Sequence, residues 1–446
     1  MEAPKAETVV PIREEEQPAA TTEQDINPWD VKGAKDAQGN TLAFDYVAIS
    51  KKWATKLIDD TILQRFERIT GHKPHRWLRR GLFFSHRDFD KILDKYEKGE
   101  PFFLYTGRGP SSDALHLGHT IPLTFTKWLQ DVFDVPLGIL SLLPYNPILI
   151  KKEEDDEKAL FKEKLTFEET HKFALQNAKD IIACGFDLKK TFIYSDLEYI
   201  KGPFLTNVWE FSKLLTFNQV RGAFGFNESA AAFATSYPEL WSDKPATART
   251  KAMAKIQCLI PMAIDQDPYF RLLRENCHRM RFPSPKPALI HSQFLTALQG
   301  AGGKMSASDP NSAIFMSDTP NQIKKKINSY AFSGGQETVE LHRQLGGNPD
   351  VDVSYQYISY FEDDDEKLKK IEQDYRKGDL LTGELKKMAI ALLQEYVMEF
   401  QERRKAVTDE VLNQYMTPRK LEWGGNPNST ASSHSSAKPT EAVRDS

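Results

Sequence analysis

The sequence predicts an α/β domain built on a parallel sheet, followed by an all-helical domain. Three observations predict it. Strand-like and helix-like stretches alternate through the middle of the chain, a glycine-bearing loop turns one strand into one helix, and the last third carries no strand pattern.

Pro101-Phe-Phe-Leu-Tyr-Thr106 reads as a buried strand ending at Gly107. The loop Arg108-Gly-Pro-Ser-Ser-Asp113 leads into a helix expected from His116 to Phe133, with Pro122 near its first turn, where a missing N–H costs little. Lys190 to Tyr194 and Ile256 to Met262 are further strand candidates, separated by helical segments. From Thr382 the apolar residues Leu385, Met388, Ala389, Leu392, Leu393, Tyr396 and Phe400 recur three and four apart, one stripe of a long helix. Both ends, 1–26 and 424–446, are poor in bulky apolar side chains and read as tails without a core of their own.

At 446 residues the chain has room for two or three domains. A formal net charge of -4 announces no global field for nucleic acid, although a local basic stripe on an acidic whole still can bind RNA. Cys184, Cys258 and Cys277 are too few and too scattered for a disulfide framework or a zinc site, and read as structural. The apolar run Leu137 to Ile150 is too short to span a bilayer and holds Pro144 and Pro147. The acidic Glu14, Glu15 and Glu16 argue against a transit peptide. A soluble protein of the cytoplasm is expected, with no membrane and no DNA among its partners.

Two clusters carry chemistry. In Thr106-Gly-Arg-Gly-Pro-Ser-Ser-Asp-Ala-Leu-His116-Leu-Gly-His119 a strand ends and a helix begins with two histidines three apart. Glycines let backbone N–H groups approach a phosphate, and the helix start adds positive potential. Two imidazoles there can donate to charge developing at an attacked phosphate. Far along the chain, Gly302-Gly303-Lys304-Met305-Ser306-Ala307-Ser308 places one lysine among small residues, suited to meet a leaving pyrophosphate. Taken singly, the first is also compatible with a surface helix and the second with an exposed turn.

Together the clusters resemble the HIGH and KMSKS signatures of class I aminoacyl-tRNA synthetases. The resemblance narrows over Tyr105-Thr-Gly-Arg-Gly-Pro-Ser-Ser112, Cys258-Leu-Ile-Pro-Met-Ala-Ile-Asp-Gln266-Asp-Pro-Tyr-Phe-Arg271, Ala331-Phe-Ser-Gly-Gly335, His75-Arg-Trp-Leu-Arg-Arg-Gly-Leu-Phe-Phe-Ser-His-Arg-Asp88 and Met416-Thr-Pro-Arg-Lys420. These are similar to the eukaryotic cytoplasmic tryptophanyl-tRNA synthetase family, from about Asn27 to Trp423. The tyrosyl enzymes, which share both signatures, are the nearest alternative.

The resemblance implies a Rossmann-type catalytic domain (101–318) with an all-helical anticodon-binding domain (319–423), preceded by an extension (27–100) packed on the catalytic domain. It implies a homodimer that uses ATP with Mg2+, L-tryptophan and tRNA(Trp), with no permanent cofactor and no metal bound by protein side chains. Tyr105 and Gln266 would meet the indole N–H, and Glu157 the α-amino group. Gly107, Arg108, Gly109, His116, Gly118 and His119 would lie around ATP, with Lys304, Met305, Ser306 and Ser308 as a moving phosphate clamp. His116, His119 and Lys304 would carry catalysis.

Burying an indole of ~200 Å² is worth about 5 kcal/mol, but area alone does not reject tyrosine. Discrimination needs a polar group that the wrong side chain leaves unpaired. Gln266 and Tyr105 are the residues expected to supply it. A tyrosine closing a strand is also often simply packed, and Asp265-Gln-Asp-Pro268 is equally a helix start.

Two segments, 138–154 and 230–255, depart from the family pattern. The first, with its two prolines, is not expected to supply a central strand and lacks the family's glutamine before Asp155. The second lacks a substrate contact. They predict weakened tryptophan activation, or a chain that acts only by binding and dimerising. The acidic run Glu362 to Lys367 and the basic Arg403-Arg404-Lys405 are both expected to be solvated, the latter with tRNA phosphates as the alternative.

Overall fold

The computed structural model describes residues 22–26, 31–38, 41–108, 115–141, 166–195, 203–216, 218–220, 256–280, 284–300, 305 and 309–429. The N-terminal part holds β1 (Asp25–Ile26) paired with β2 (Val31–Lys32), then α1 (Tyr46–Lys52), β3 (Lys56–Leu57), α2 (Asp60–Thr70), α3 (Arg76–Arg79), β4 (Phe83–Arg87) and α4 (Phe89–Lys98). The α/β core adds β5 (Phe102–Arg108), α5 (Leu117–Phe133), β6 (Leu137–Ser141), α6 (Phe167–Ala183), β7 (Thr191–Ser195), α7 (Pro203–Leu214), β8 (Gln257–Ala263), α8 (Asp267–Asn276) and β9 (Ala288–Ser292). Only helices follow among the described residues: α9 (Pro320–Tyr330), α10 (Val339–Leu345), α11 (Val353–Phe361), α12 (Asp365–Lys377), α13 (Thr382–Lys405) and α14 (Asp409–Met416).

The main sheet runs β3-β4-β9-β8-β5-β6-β7. From β9 to β7 every pairing is parallel. The chain steps from β5 outward to β6 and β7, then crosses to β8 and β9 on the other side, so the strand order reverses at β5. In such a doubly wound sheet the ligand crevice lies outside the carboxyl ends at that reversal. The parallel strands are predominantly apolar, as burial on two faces demands: β7 and β9 are buried at every position.

The N-terminal extension does more than pack on this domain. β4 pairs antiparallel with β9 and β3 with β4, so the extension widens the sheet itself. The expectation for 138–154 is corrected at its start: Leu137–Ser141 forms β6 between β5 and β7, with Ile139 fully buried. The run Leu-Gly-Ile-Leu is apolar enough for a central strand, and Pro144 and Pro147 come after it, outside the described residues. The segment 230–255 also lies outside them. Pro122 sits in the second turn of α5 rather than the first, so it cannot donate to the Gly118 carbonyl.

Helix α13 buries Leu385, Ala389, Leu393 and Phe400 as its stripe predicts, together with Ile390 and Val397. Its basic end is solvated at Arg403 and Lys405, which are exposed, but engaged at Arg404. Arg404 donates from Nε to Asp180 Oδ1 at 2.6 Å and from Nη2 to Gln176 Oε1 at 2.7 Å, and Arg403 Nε donates to the Ala183 carbonyl at 2.9 Å. The acidic run is likewise engaged: Asp364 caps α12, while Asp365 meets Arg80 Nε at 2.8 Å and Arg79 Nε at 2.9 Å. Both ends are ordered further than composition suggests. Asp25 and Ile26 lie in a strand pair, and Gly424 and Gly425 donate to the Asp134 carbonyl at 3.0 and 3.1 Å. Backbone bonds of this kind need no apolar side chain.

His75 illustrates how burial sets charge in this fold. Its ring packs beside Trp77, Trp128 and Phe125, at 4.6, 5.2 and 5.7 Å between centroids. Burial, with Arg76, Arg79 and Arg80 nearby, lowers its pKa to about 3. The unfolded chain takes up this proton below about pH 6.5 while the folded chain does not, so stability falls as pH falls through that window. By pH 5 the loss is about 2 kcal/mol. A His75→Gln variant is expected to lose less stability than the parent between pH 7 and 5 in denaturant titrations. Parallel losses in the two proteins would reject the assignment.

Candidate active site

The carboxyl ends of β5 and β8 deliver the side chains that face the crevice. Tyr105, half-buried near the end of β5, lies edge-on to Phe270 of α8 with centroids 6.4 Å apart at 67°. Gln266 is the residue just before α8, half-buried, and four positions ahead of Phe270. Residues four apart share a helix face, so the position of Gln266 lies along α8 from Phe270. On the other flank Gly138 of β6 pairs in register with Tyr105. A Cβ there would lie 3.9 Å from the tyrosine ring, so glycine leaves that flank of the ring without a side chain.

The helix with two histidines starts where expected. His116 precedes α5 with extended backbone, and its N–H donates to His119 Nδ1 at 3.3 Å. With Nδ1 accepting, the proton of neutral His119 sits on Nε2, which makes that nitrogen the donor. The two rings stack with centroids 3.4 Å apart. Between them Gly118 is a close approach: a Cβ would meet His116 Cε1 at 3.1 Å and Met305 Sδ at 3.7 Å. Any larger side chain would push the first ring or the methionine.

That methionine joins the two signatures. Met305, covalently next to Lys304, is buried in the main core cluster. Downstream of it the chain pairs with the helix start: Leu117 N–H donates to Ile314 O at 2.9 Å and Met316 N–H to Leu115 O at 2.8 Å. Phe315 faces His116 edge-on at 6.2 Å, and Lys326 Nζ stands 4.7 Å over the same phenyl ring. Lys326 also donates to Asp318 Oδ2 at 2.7 Å, fixing this return.

Gly107 lies in β5, and so does the backbone of Arg108. Gly109, Glu157, Lys304, Ser306 and Ser308 lie outside the described residues. The structure therefore brings His116, Gly118, His119 and Met305 together, and sets Tyr105 beside Phe270 of α8. Among the described residues no group of three His, Cys, Asp or Glu side chains gathers as a metal site. Cys258 and Cys277 are buried, and burial pushes the Cys184 thiol up to about 12, which suits packing rather than nucleophilic chemistry.

Behind Gln266 stands a charged group that the motifs did not single out. Asp267, fully buried, is gripped by Arg87 through Nε at 2.7 Å and Nη2 at 2.8 Å, and His291 Nε2 lies 3.0 Å away. Burial alone would push the Asp267 carboxyl up, but Arg87 and His291 hold it well below the usual carboxylate range. The available signal was Arg87 at the end of β4 and His291 within β9, since a polar or charged side chain in a buried strand calls for a partner.

The comparisons with known proteins agree with this geometry. The family described as tRNA synthetases class I (W and Y) matches residues 97–397. The cytoplasmic tryptophan–tRNA ligase of Saccharomyces cerevisiae is 52% identical over 415 residues, covering 90% of this chain and 91% of the yeast protein. The cytoplasmic human tryptophan–tRNA ligase is 50% identical over 421 residues, covering 91% of this chain and 83% of the human one. The solved tryptophanyl-tRNA synthetase from Giardia lamblia superposes with a TM-score of 0.73 at 38% identity, covering 88% of this chain and all 100% of that one. With a parallel sheet reversing at β5, a histidine-bearing helix start tied to the Met305 segment, and relatives of this identity and coverage, the chain belongs to the class I aminoacyl-tRNA synthetases, on the tryptophanyl branch.

Proposed function

We infer that this chain is a tryptophan–tRNA ligase of the cytoplasm, the location named for its yeast and human relatives. The carboxylate of L-tryptophan attacks the α-phosphorus of ATP, pyrophosphate leaves, and tryptophanyl-adenylate forms. A terminal ribose hydroxyl of tRNA(Trp) then attacks the activated carbonyl, and AMP leaves. Mg2+ enters with the ATP phosphates as part of the substrate.

In this reading His119, with its Nε2–H, and His116 stand over the start of α5 and stabilise charge on the nucleotide as it reacts. Gly107, Arg108, Gly109 and Gly118 line the ATP, Ser306 and Ser308 join Lys304 on its phosphates, and Glu157 meets the amino group of the substrate. Gln266 and Tyr105 select the indole N–H. The helical part, 319–423, reads the anticodon, and a second copy of the chain completes a homodimer. The observation that supports this reading most is the tie between Leu115–Leu117 and Ile314–Met316, with Met305 against Gly118.

Tryptophan-dependent exchange of labelled pyrophosphate into ATP tests it, with tyrosine as competitor. Gln266→Leu is expected to lower kcat/KM for tryptophan by ~5–100-fold, the effect of losing one buried hydrogen bond. It should spare the KM for ATP. Equal use of tryptophan and tyrosine by the parent chain would reject the specificity.

A second reading rests on the departures at 138–154 and 230–255 from the family pattern. It makes this chain a homologue that folds and dimerises but activates tryptophan weakly. A purified, folded dimer without exchange would favour it.

A further inference from the structure

The charged group behind Gln266 has no part in the chemistry above, yet it occupies one of the driest places in the molecule. Arg87 sits at the end of β4 and Asp267 in the first turn of α8, with side-chain exposures of 13% and 0%. The guanidinium meets both carboxylate oxygens, a planar fork that lysine cannot reproduce. Nη2 also donates to the Trp53 carbonyl at 2.7 Å and Nη1 to the Ala54 carbonyl at 3.2 Å, so the fork is itself held in one orientation. On the other side His291 of β9 touches the same carboxylate, and its Nδ1 lies 3.0 Å from Ser85 Oγ on β4.

A buried ion pair of this kind is a poor way to gain stability, because desolvation offsets most of the attraction and an apolar cluster of the same volume does as well. Nor does α8 need it to dock. Leu272 and Leu273 are already buried, and Arg274 ties the later part of the helix to Asp88 at 2.8 Å. What the fork adds is a fixed position for the first turn, the point from which Gln266 projects.

We propose that Arg87, Asp267 and His291 form a positioning device for substrate recognition: by clamping the first turn of α8 they aim Gln266 at the indole N–H, and so set the preference for tryptophan over tyrosine. Arg87 and Asp267 are positioning residues that touch no substrate. The proposal rests on the reading of Gln266 as the indole partner. A displacement of about 1 Å at such a group is enough to lose ~10²-fold in a well-oriented site.

The test is calorimetric binding of L-tryptophan and L-tyrosine to the full chain, which requires no turnover. Arg87→Lys keeps the charge and removes the fork, and Asp267→Asn keeps the shape and removes the charge. Each is expected to weaken tryptophan binding at least tenfold while tyrosine binding changes less than threefold. In a Gln266→Leu background, Arg87→Lys should add less than a threefold further loss, because the side chain it aims is gone. A purely structural pair would lower the melting temperature, leave the selectivity intact and act multiplicatively with Gln266→Leu. That result overturns the proposal. A silent Gln266→Leu overturns the reading of Gln266 and the proposal with it. A damaging Gln266→Leu beside silent Arg87 and Asp267 variants overturns the proposal alone. Should Arg87→Lys fail to fold, the same cycle is run with Asp267→Asn.

Discussion

Replacing Lys304 with alanine should lower the rate of tryptophan-dependent pyrophosphate exchange by ~10²-fold or more, the loss seen when one oriented contact to transition-state charge is removed. Charge accumulates on the leaving pyrophosphate only as the bond to the α-phosphorus breaks. A lysine that meets it then raises kcat, and does little for ground-state binding of the amino acid. The KM for tryptophan should therefore stay within a few-fold while kcat collapses. The physical basis is the neighbouring Met305, buried against Gly118 at the start of the histidine helix. An alanine variant with parental kcat would remove Lys304 from the mechanism.

Trp77→Ala is expected to cost about 3–5 kcal/mol of folding stability, the range for deleting a large buried aromatic side chain. Trp77 is 1% exposed on the short helix α3 and packs against the stacked pair Phe83 and Phe125, at 6.1 and 6.4 Å between centroids. Its Nε1 donates to the Tyr360 carbonyl at 2.7 Å, at the end of α11. One side chain thus joins the widened sheet to the helical domain. Arg80 reinforces the same seam, donating to the carbonyls of Ser359 at 2.8 Å and Glu362 at 2.7 Å. Trp77→Phe separates the two components. It keeps most of the packing, and Arg76 Nε, 3.0 Å from the same Tyr360 carbonyl, still supplies a donor. That variant should cost far less than alanine. The denaturant midpoint measures both, and an alanine variant with an unshifted midpoint would mean the seam contributes no stability.

The two outcomes are separable because they act at different places. Lys304 is proposed for the phosphate clamp, whereas Trp77 lies at the joint between the sheet and the helical part. A Trp77 variant that folds but loses exchange would indicate that the joint also holds the site in register. Binding of L-tryptophan by such a variant tells whether the crevice itself has moved.

Much of the site was legible because its residues lie in short runs with local physical meaning. A strand, a glycine loop and a helix start place His116, Gly118 and His119 by backbone geometry alone, and the apolar run of β5 places Tyr105 in a buried strand, whereas Gln266, just before α8, was singled out by the family resemblance. The stripe on α13 was legible for the same reason: side chains three and four apart share a face in any helix. What sequence missed involves partners far apart in the chain. Arg87 and Asp267 are 180 residues apart, and Arg404 and Asp180 are 224 apart. No local period links such pairs. The acidic run from Glu362 reads as solvated until the arginines of α3 are brought against it, and the run Gly138–Ser141 reads as a broken strand until β5 and β7 enclose it.

By itself, then, the amino-acid sequence determined the alternation of strands and helices, the parallel sheet and the all-helical end, encoded in spacing that the backbone turns directly into geometry, while the tryptophanyl branch was carried by the resemblance of its short motifs to a known family. Tertiary structure alone decided that the N-terminal extension widens the sheet, that the Met305 segment lies on the histidine helix, and that a buried guanidinium stands behind Gln266. These depend on which distant surfaces meet, and burial makes a charge choose its partner only once the water between them has gone.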